Sequence, residues 1–222
     1  MTSAGFDTAL TTRLAFDRLP EASLEAARKT SSATVHEAYG RRGALPREIK
    51  PVWRGASVIG SAFTVHAPAG DNLWIHRAIA WAQPGDILVV SVSNGHDWGY
   101  WGEIMSTASQ CRSLGGLVID GCVRDGVLLE RLGFPVFSRG LYIKGTVKDA
   151  DAPGWCGAPI SIGDTIIRSG DLILGDDDGV VAVAAAEVAD VLEKSRQRDE
   201  REAGVLQRLR GGETTLDIMG LK

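Results

Sequence analysis

Leu114-Gly115-Gly116-Leu117-Val118-Ile119-Asp120-Gly121-Cys122-Val123-Arg124-Asp125-Gly126 is a short apolar run that stops at glycine and then presents a cation and a carboxylate. The run over residues 117–119 is too short for a helix, is bounded by glycines and is apolar on both faces, which suits a central parallel strand covered above and below. Its carboxyl end then falls at Asp120-Gly121. In open α/β sheets the ligand crevice lies just beyond the carboxyl ends of strands, so Arg124 and Asp125 fall where chemistry is expected. A guanidinium can hold a carboxylate through two parallel hydrogen bonds, and a neighbouring aspartate can hold a hard divalent cation through oxygen. The competing reading is a solvated Arg-Asp turn with no role beyond solubility.

Working outward, the segment before this strand repeats the pattern. Residues 87–92 form another buried-type strand, which ends in the glycine- and aromatic-rich loop 94–103, and helical spacing follows at Ile104, Ala108, Cys111 and Leu114. Strand, loop, helix and strand make a βαβ unit with Gly102, Glu103, Ile104 and Met105 at the helix start. Bare amides there can grip a carboxylate, and Glu103 can aim at a metal or its waters or simply complement the helix dipole. His96 and Asp97 lie in the same loop and either shape specificity or cap it.

Upstream, residues 56–66 are β-rich with an interior glycine, a strand with a bend. Asp71 or Asn72 caps a helix over residues 73–81 or helps its N-terminus face an anion. The chain up to about Gly40 reads as helical, with a break at Leu19-Pro20, and residues 41–54 read as a loop. His36 and Glu37 point to different sides of a helix, which favours packing or a subunit contact over a metal pair. Downstream, residues 127–133 read as a short helix with a glycine stop and residues 134–138 as the next strand. Lys144 and Lys148 flank residues 145–147 as surface cations, with imine chemistry as the alternative. Residues 160–183 alternate short strands with Gly-Asp turns, and Asp176-Asp177-Asp178-Gly179 reads as a hairpin turn because it lacks the alternating acids of a calcium loop.

Residues 185–209 carry one long helical pattern, about 37 Å at roughly 1.5 Å per residue. Its middle is almost entirely charged and apolar positions resume at Val205, Leu206 and Leu209, so the arm is expected to lie on a neighbouring copy. The organisation is an α/β class domain: an N-terminal helical segment (1–55), an α/β core (56–184) and a C-terminal helical arm (185–222).

Composition narrows the classes. In 222 residues, 44% hydrophobic and 23% charged, there is enough apolar material for one full core. A net charge of -4 advertises no basic face for nucleic acid, so an anionic ligand needs a local cationic pocket or a metal. Three cysteines, Cys111, Cys122 and Cys156, without a Cys-x-x-Cys pair fit reduced thiols and a cytoplasmic location. No apolar run approaches a membrane span, and the charged N-terminus lacks a signal-peptide core.

The ordered set Thr34-Val35-His36-Glu37-Ala38, Pro68-Ala69-Gly70-Asp71-Asn72, Gly102-Glu103, the 116–125 stretch, Gly145-Thr146-Val147-Lys148 and Asp176-Asp177-Asp178-Gly179-Val180-Val181 resembles the 4-hydroxy-4-methyl-2-oxoglutarate/4-carboxy-4-hydroxy-2-oxoadipate aldolases. Those enzymes share a superfamily with the regulators of ribonuclease E activity. The resemblance implies a swivelling β/β/α-type domain, a homotrimer or homohexamer, and a divalent metal, Mg2+ or Mn2+. It implies that Asp125 binds the metal directly, that Arg124 holds the oxo acid substrate, and that Glu103 hydrogen-bonds metal-bound water. Backbone amides of the turn Gly102, Glu103, Ile104 and Met105 receive the pyruvyl group, and Glu200 or Glu202 of a neighbouring subunit approaches the metal's waters. The implied reaction cleaves 4-hydroxy-2-oxo acids to pyruvate, with metal-bound water as the base and oxaloacetate decarboxylation as a side activity. In that family's pattern the loop 94–101 is unusually bulky here. The rival classes are a non-catalytic regulator and an imine-forming lyase.

Overall fold

A computed structural model describes residues 12–221. The strands are β1 (Lys50–Pro51), β2 (Val58–His66), β3 (Ile87–Ser91), β4 (Gly116–Ile119), β5 (Val136–Ser138), β6 (Trp155–Cys156), β7 (Ile160–Ile162), β8 (Thr165–Ile167), β9 (Leu172–Asp176) and β10 (Gly179–Val183). The helices are α1 (Glu21–Ala27), α2 (Ser32–Ala38), α3 (Leu73–Trp81), α4 (Glu103–Cys111), α5 (Gly126–Leu132), α6 (Val188–Arg210) and α7 (Thr215–Met219).

The main sheet runs β1-β5-β4-β3-β2-β9-β10, with β6 added on β2, while β7 and β8 form a separate hairpin. Strands β2 to β5 are parallel, and α3, α4 and α5 provide their crossovers. Lys50 on β1 donates to the Asp178 carbonyl beside β10, so the two ends of the strand order meet and the sheet nearly closes into a barrel.

The strand built from the 114–126 stretch is buried on both faces, as its sequence requires. Leu117 and Ile119 pack with Trp74, Tyr100, Trp101 and Leu129 under the crossover helices, whereas Val118 packs with Val58, Ile162 and Phe137 inside the barrel. Each fully buried aliphatic side chain of this kind contributes about 1.5–3 kcal/mol. A third cluster joins α1, α2 and the first turns of α6 to β9 and β10 through Val35, Leu174, Val191 and Leu192. The hairpin at Asp176-Asp177-Asp178-Gly179 forms as read, with Gly179 opposite Asp176.

Two expectations are corrected. Residues 1–11 lie outside the described residues, but residues 13–20 form no helix. Arg13 donates to the Cys156 carbonyl, the Arg18 guanidinium grips the buried Asp86 carboxylate at 2.7 and 2.8 Å, and Phe16 stacks on Phe63. Those tertiary partners outweigh local helix propensity. The 41–54 loop also contains strand β1, whose Pro51 sits at a sheet edge where its missing N–H is tolerated.

The arm is one helix of 23 residues preceded by a 3-10 turn, and its first half packs on its own chain through Val188, Val191, Leu192 and Ser195. Its charged middle is paired within the helix: Arg196 with Glu193 and Glu200, and Arg198 with Glu202. No helix among the described residues is long and apolar enough to cross a membrane.

Candidate active site

Beyond the carboxyl end of β4 the chain passes through Gly121 and reaches Arg124 and Asp125 just before α5. Asp125 adopts φ 63° and ψ 32°, a left-handed conformation that costs a β-carbon residue about 1–2 kcal/mol. Its carbonyl still accepts from Leu128 and Leu129 N–H, so the turn is locked by the helix it starts. Arg124 N–H donates to the Trp101 carbonyl at 2.8 Å, which ties the β4 loop to the β3 loop.

The opposite wall is the start of α4. Glu103 N–H donates to Asp125 Oδ2 at 3.1 Å, and Oδ1 accepts no hydrogen bond among the described residues. Gly102 makes this approach possible, because an added Cβ would collide with Asp125 Oδ2 and lie 3.2 Å from Arg124 Cγ. The helix carries no side-chain cap, so the first-turn amides of Ile104 and Met105 remain available to an anion. Arg124 and Asp125 side chains are 50% and 35% exposed and 3.8 Å apart, a loose pair that leaves both groups open to a ligand.

A cavity of about 320 Å³ lies between these two walls, and Glu103 is not among the residues that line it. Gly102, Ile104, Met105, Arg124 and Asp125 form one side, and Asn72, His76, Thr146 and Lys148 complete it. The last four were not placed together by sequence reasoning. Asp71 N–H and Asn72 N–H belong to a turn stitched to the 145–149 segment: Asn72 N–H donates to the Val147 carbonyl, Val147 N–H to the Gly70 carbonyl, and Asp149 N–H to Asp71 Oδ2. The N-cap residue is Asn72, but its side chain makes no cap bond, and the Leu73 N–H goes instead to Asp71 Oδ1. Burial pushes the His76 imidazole below its usual value, and Lys148 pushes it the same way while Asp71 opposes.

Fitness for a hard cation follows from the donor set. Asp125 offers an uncommitted carboxylate oxygen in a cleft that glycine keeps clear, which suits an ion that retains most of its waters. Among the described residues no three His, Cys, Asp or Glu side chains converge into a complete metal cage. Waters, ligand oxygens and acids from elsewhere would fill the remaining positions.

A match to known proteins now decides the family: a model described as RraA-like, Aldolase/RraA, covers residues 31–182. The chain belongs to the RraA-like family. Among relatives of this RraA-like chain, a protein of Halalkalibacterium halodurans named "Putative 4-hydroxy-4-methyl-2-oxoglutarate aldolase" is 34% identical over 154 residues, 69% of this chain and 72% of that one. Streptomyces coelicolor RraAS2, titled an unusual member of the RNase ES inhibitor RraA protein family, superposes with a TM-score of 0.76 at 25% identity, covering 86% of this chain and all of that one. An uncharacterized protein from Pseudomonas syringae pv. tomato gives the same TM-score at 27% identity, covering 90% and 97%. The fold is therefore the RraA fold, with its N-terminal helices and long C-terminal helix.

Other sequence-marked residues of the RraA-like chain lie apart from this cavity. Lys144 Nζ sits 3.6 Å from the Trp98 ring centroid, a cation–π contact, whereas Lys148, the other lysine weighed for imine chemistry, lines the cavity itself. His96 Nδ1 bonds the Asp120 carbonyl at 2.6 Å, and His96, Asp97 and Lys144 line a neighbouring cavity with Arg139. Glu37 pairs with Arg41 and Arg198, so it serves the packing of α2 on α6. Glu200 and Glu202, on the exposed face of α6, are held by Arg196 and Arg198 of their own helix.

Proposed function

We propose that this protein is a divalent-metal-dependent pyruvate aldolase. Its substrates are 4-hydroxy-2-oxo di- or tricarboxylic acids of the 4-hydroxy-4-methyl-2-oxoglutarate and 4-carboxy-4-hydroxy-2-oxoadipate type, and oxaloacetate decarboxylation is a side activity. The observation that carries the reading is the open Arg124–Asp125 pair facing the uncapped start of α4 in one cavity. The name of the 34% identical relative supports the same class.

In this reading the pyruvyl carboxylate lies on the amides of Ile104 and Met105 while Arg124 grips the substrate through its guanidinium fork. A divalent ion, Mg2+ or Mn2+, when bound, would supply Lewis acidity toward the 2-oxo group; Asp125 would hold it directly and Glu103 through a water. Arg124 and the helix amides then hold the product enolate's carboxylate end in place and exclude bulk water from it.

The protomer is also a part of a larger assembly, a homotrimer or homohexamer. Ile104, Val127, Leu141, Ile143 and Val147 stand 59–90% exposed beside the cavity, an apolar rim that another copy would cover. Glu200 or Glu202 of that copy would approach the waters of the ion once released from Arg196 or Arg198.

The test is pyruvate release from 4-hydroxy-4-methyl-2-oxoglutarate and from oxaloacetate, with and without exhaustive chelation. Release that stops on chelation and returns with Mg2+ supports the proposal; activity that survives full metal removal overturns it. The likeness to RraAS2 favours a second reading, a non-catalytic regulator of a ribonuclease. Absent turnover combined with inhibition of a ribonuclease E-type enzyme would select it.

A further inference from the structure

A second reactive pair stands at the same edge of the sheet, outside the Arg124–Asp125 cavity. Strands β2 and β3 run parallel with His66 opposite Ser91, so His66 and Ser93 emerge together at the carboxyl ends of neighbouring strands. Ser93 Oγ lies 2.8 Å from His66 Nε2. The imidazole is half-buried and stacked on Trp155, with centroids 3.9 Å apart and 14° between the rings, while Ser93 is exposed.

The backbone under the serine is unusual for its residue types. Gly95 N–H bonds the Val92 carbonyl across a tight turn whose two central residues, Ser93 and Asn94, both take left-handed conformations, φ 49° and 63°. Glycine would sit there without strain, so a serine at this position keeps a hydroxyl at a conformational cost. The N–H groups of Ser93 and Asn94 donate to nothing among the described residues. A free amide on the residue after a nucleophilic serine is one of the usual donors of an oxyanion hole. Asn94 also lines the cavity of about 500 Å³ that holds Trp98 and Lys144, room for a short acyl chain.

We propose that Ser93 and His66 form a nucleophile–base pair that hydrolyses short-chain carboxylic esters, an activity separate from the aldolase reading and independent of it. The Oγ–H proton passes to His66 Nε2 as Oγ attacks the ester carbonyl. The C–O bond to the alcohol breaks, the imidazolium protonates the departing oxygen, and an acyl-serine is left. Water then attacks the acyl carbon and gives its proton to Nε2, and Oγ leaves with that proton, so ester and water become acid and alcohol. Burial alone holds the imidazole below its ordinary value, which keeps it a free base at neutral pH. No carboxylate bonds the ring among the described residues, so an ester with a good leaving group fits this base better than an amide.

The test is labelling of the full chain by a fluorophosphonate, located by peptide mass spectrometry, beside hydrolysis of p-nitrophenyl acetate. A label on Ser93 is expected. Ser93→Gly, which suits the left-handed turn, should abolish both label and turnover with thermal unfolding unchanged. His66→Gln should lower kcat for the ester about 100-fold with KM within about threefold, and remove the acidic limb of its pH profile. Wild-type protein that takes no label, a label on another residue only, or ester turnover by folded Ser93→Gly or His66→Gln within about threefold of wild type overturns the proposal. None of these outcomes bears on pyruvate release, so the two readings fail separately.

Discussion

Two Arg–Asp pairs stand on the same loop system and do opposite jobs. Arg139 meets Asp120 at 2.6 Å with side chains 21% and 10% exposed, and Glu48 lies 3.7 Å away on the other side of the guanidinium. Arg124 and Asp125 are 3.8 Å apart and far more open. Asp120 comes directly off the end of β4, where the sheet dictates its direction, so its charge is spent on holding the 139 segment down. Asp125 sits five residues later in a left-handed turn that swings its carboxylate toward a glycine. A carboxylate whose partners are already close is structural; one with an oxygen to spare can bind.

That contrast is broken most severely at Asp125. Asp125→Asn removes the proposed ion ligand and should lower turnover by about 10³-fold without a change in melting temperature, measured by pyruvate release beside thermal unfolding. Gly102→Ala is next, at about 10²-fold, because the new methyl displaces the same carboxylate and Arg124. A near-normal rate in either variant places the chemistry elsewhere. Asp120→Ala should show the reverse pattern: about 2 kcal/mol less stable, read as a fall of roughly 4–8 °C in melting temperature, with the substrate's KM little changed. Smallest is Arg196→Ala. Its pairs with Glu193 and Glu200 are solvent-exposed, so the melting temperature should move by less than about 2 °C, and a larger fall would show that the arm's charged middle is structural.

The difference between the two pairs was legible only in part before the fold was known. The strand over 117–119, the glycine that ends it and the helix stop at Gly133 follow from short-range patterns, and each is present. The hairpin at Asp178-Gly179 follows from its turn chemistry in the same way. The non-helical run 13–20 and strand β1 were not legible, because their partners, Asp86, Cys156 and Ser138, lie tens of residues away. For the same reason the sequence offers Asn72 only as a cap or as part of an anion-facing helix start, and nothing in it singles out His76. Their place in the cavity is set by the 145–149 segment crossing the 70–72 turn, and Asp71 takes over the capping that would otherwise explain Asn72.

The most direct measurement is manganese binding in the presence of oxalate, followed by electron paramagnetic resonance on the wild type, Asp125→Asn and Asp120→Asn. The account expects wild type and Asp120→Asn to bind the ion and Asp125→Asn to lose it. Equal binding by Asp125→Asn and the wild type would contradict it.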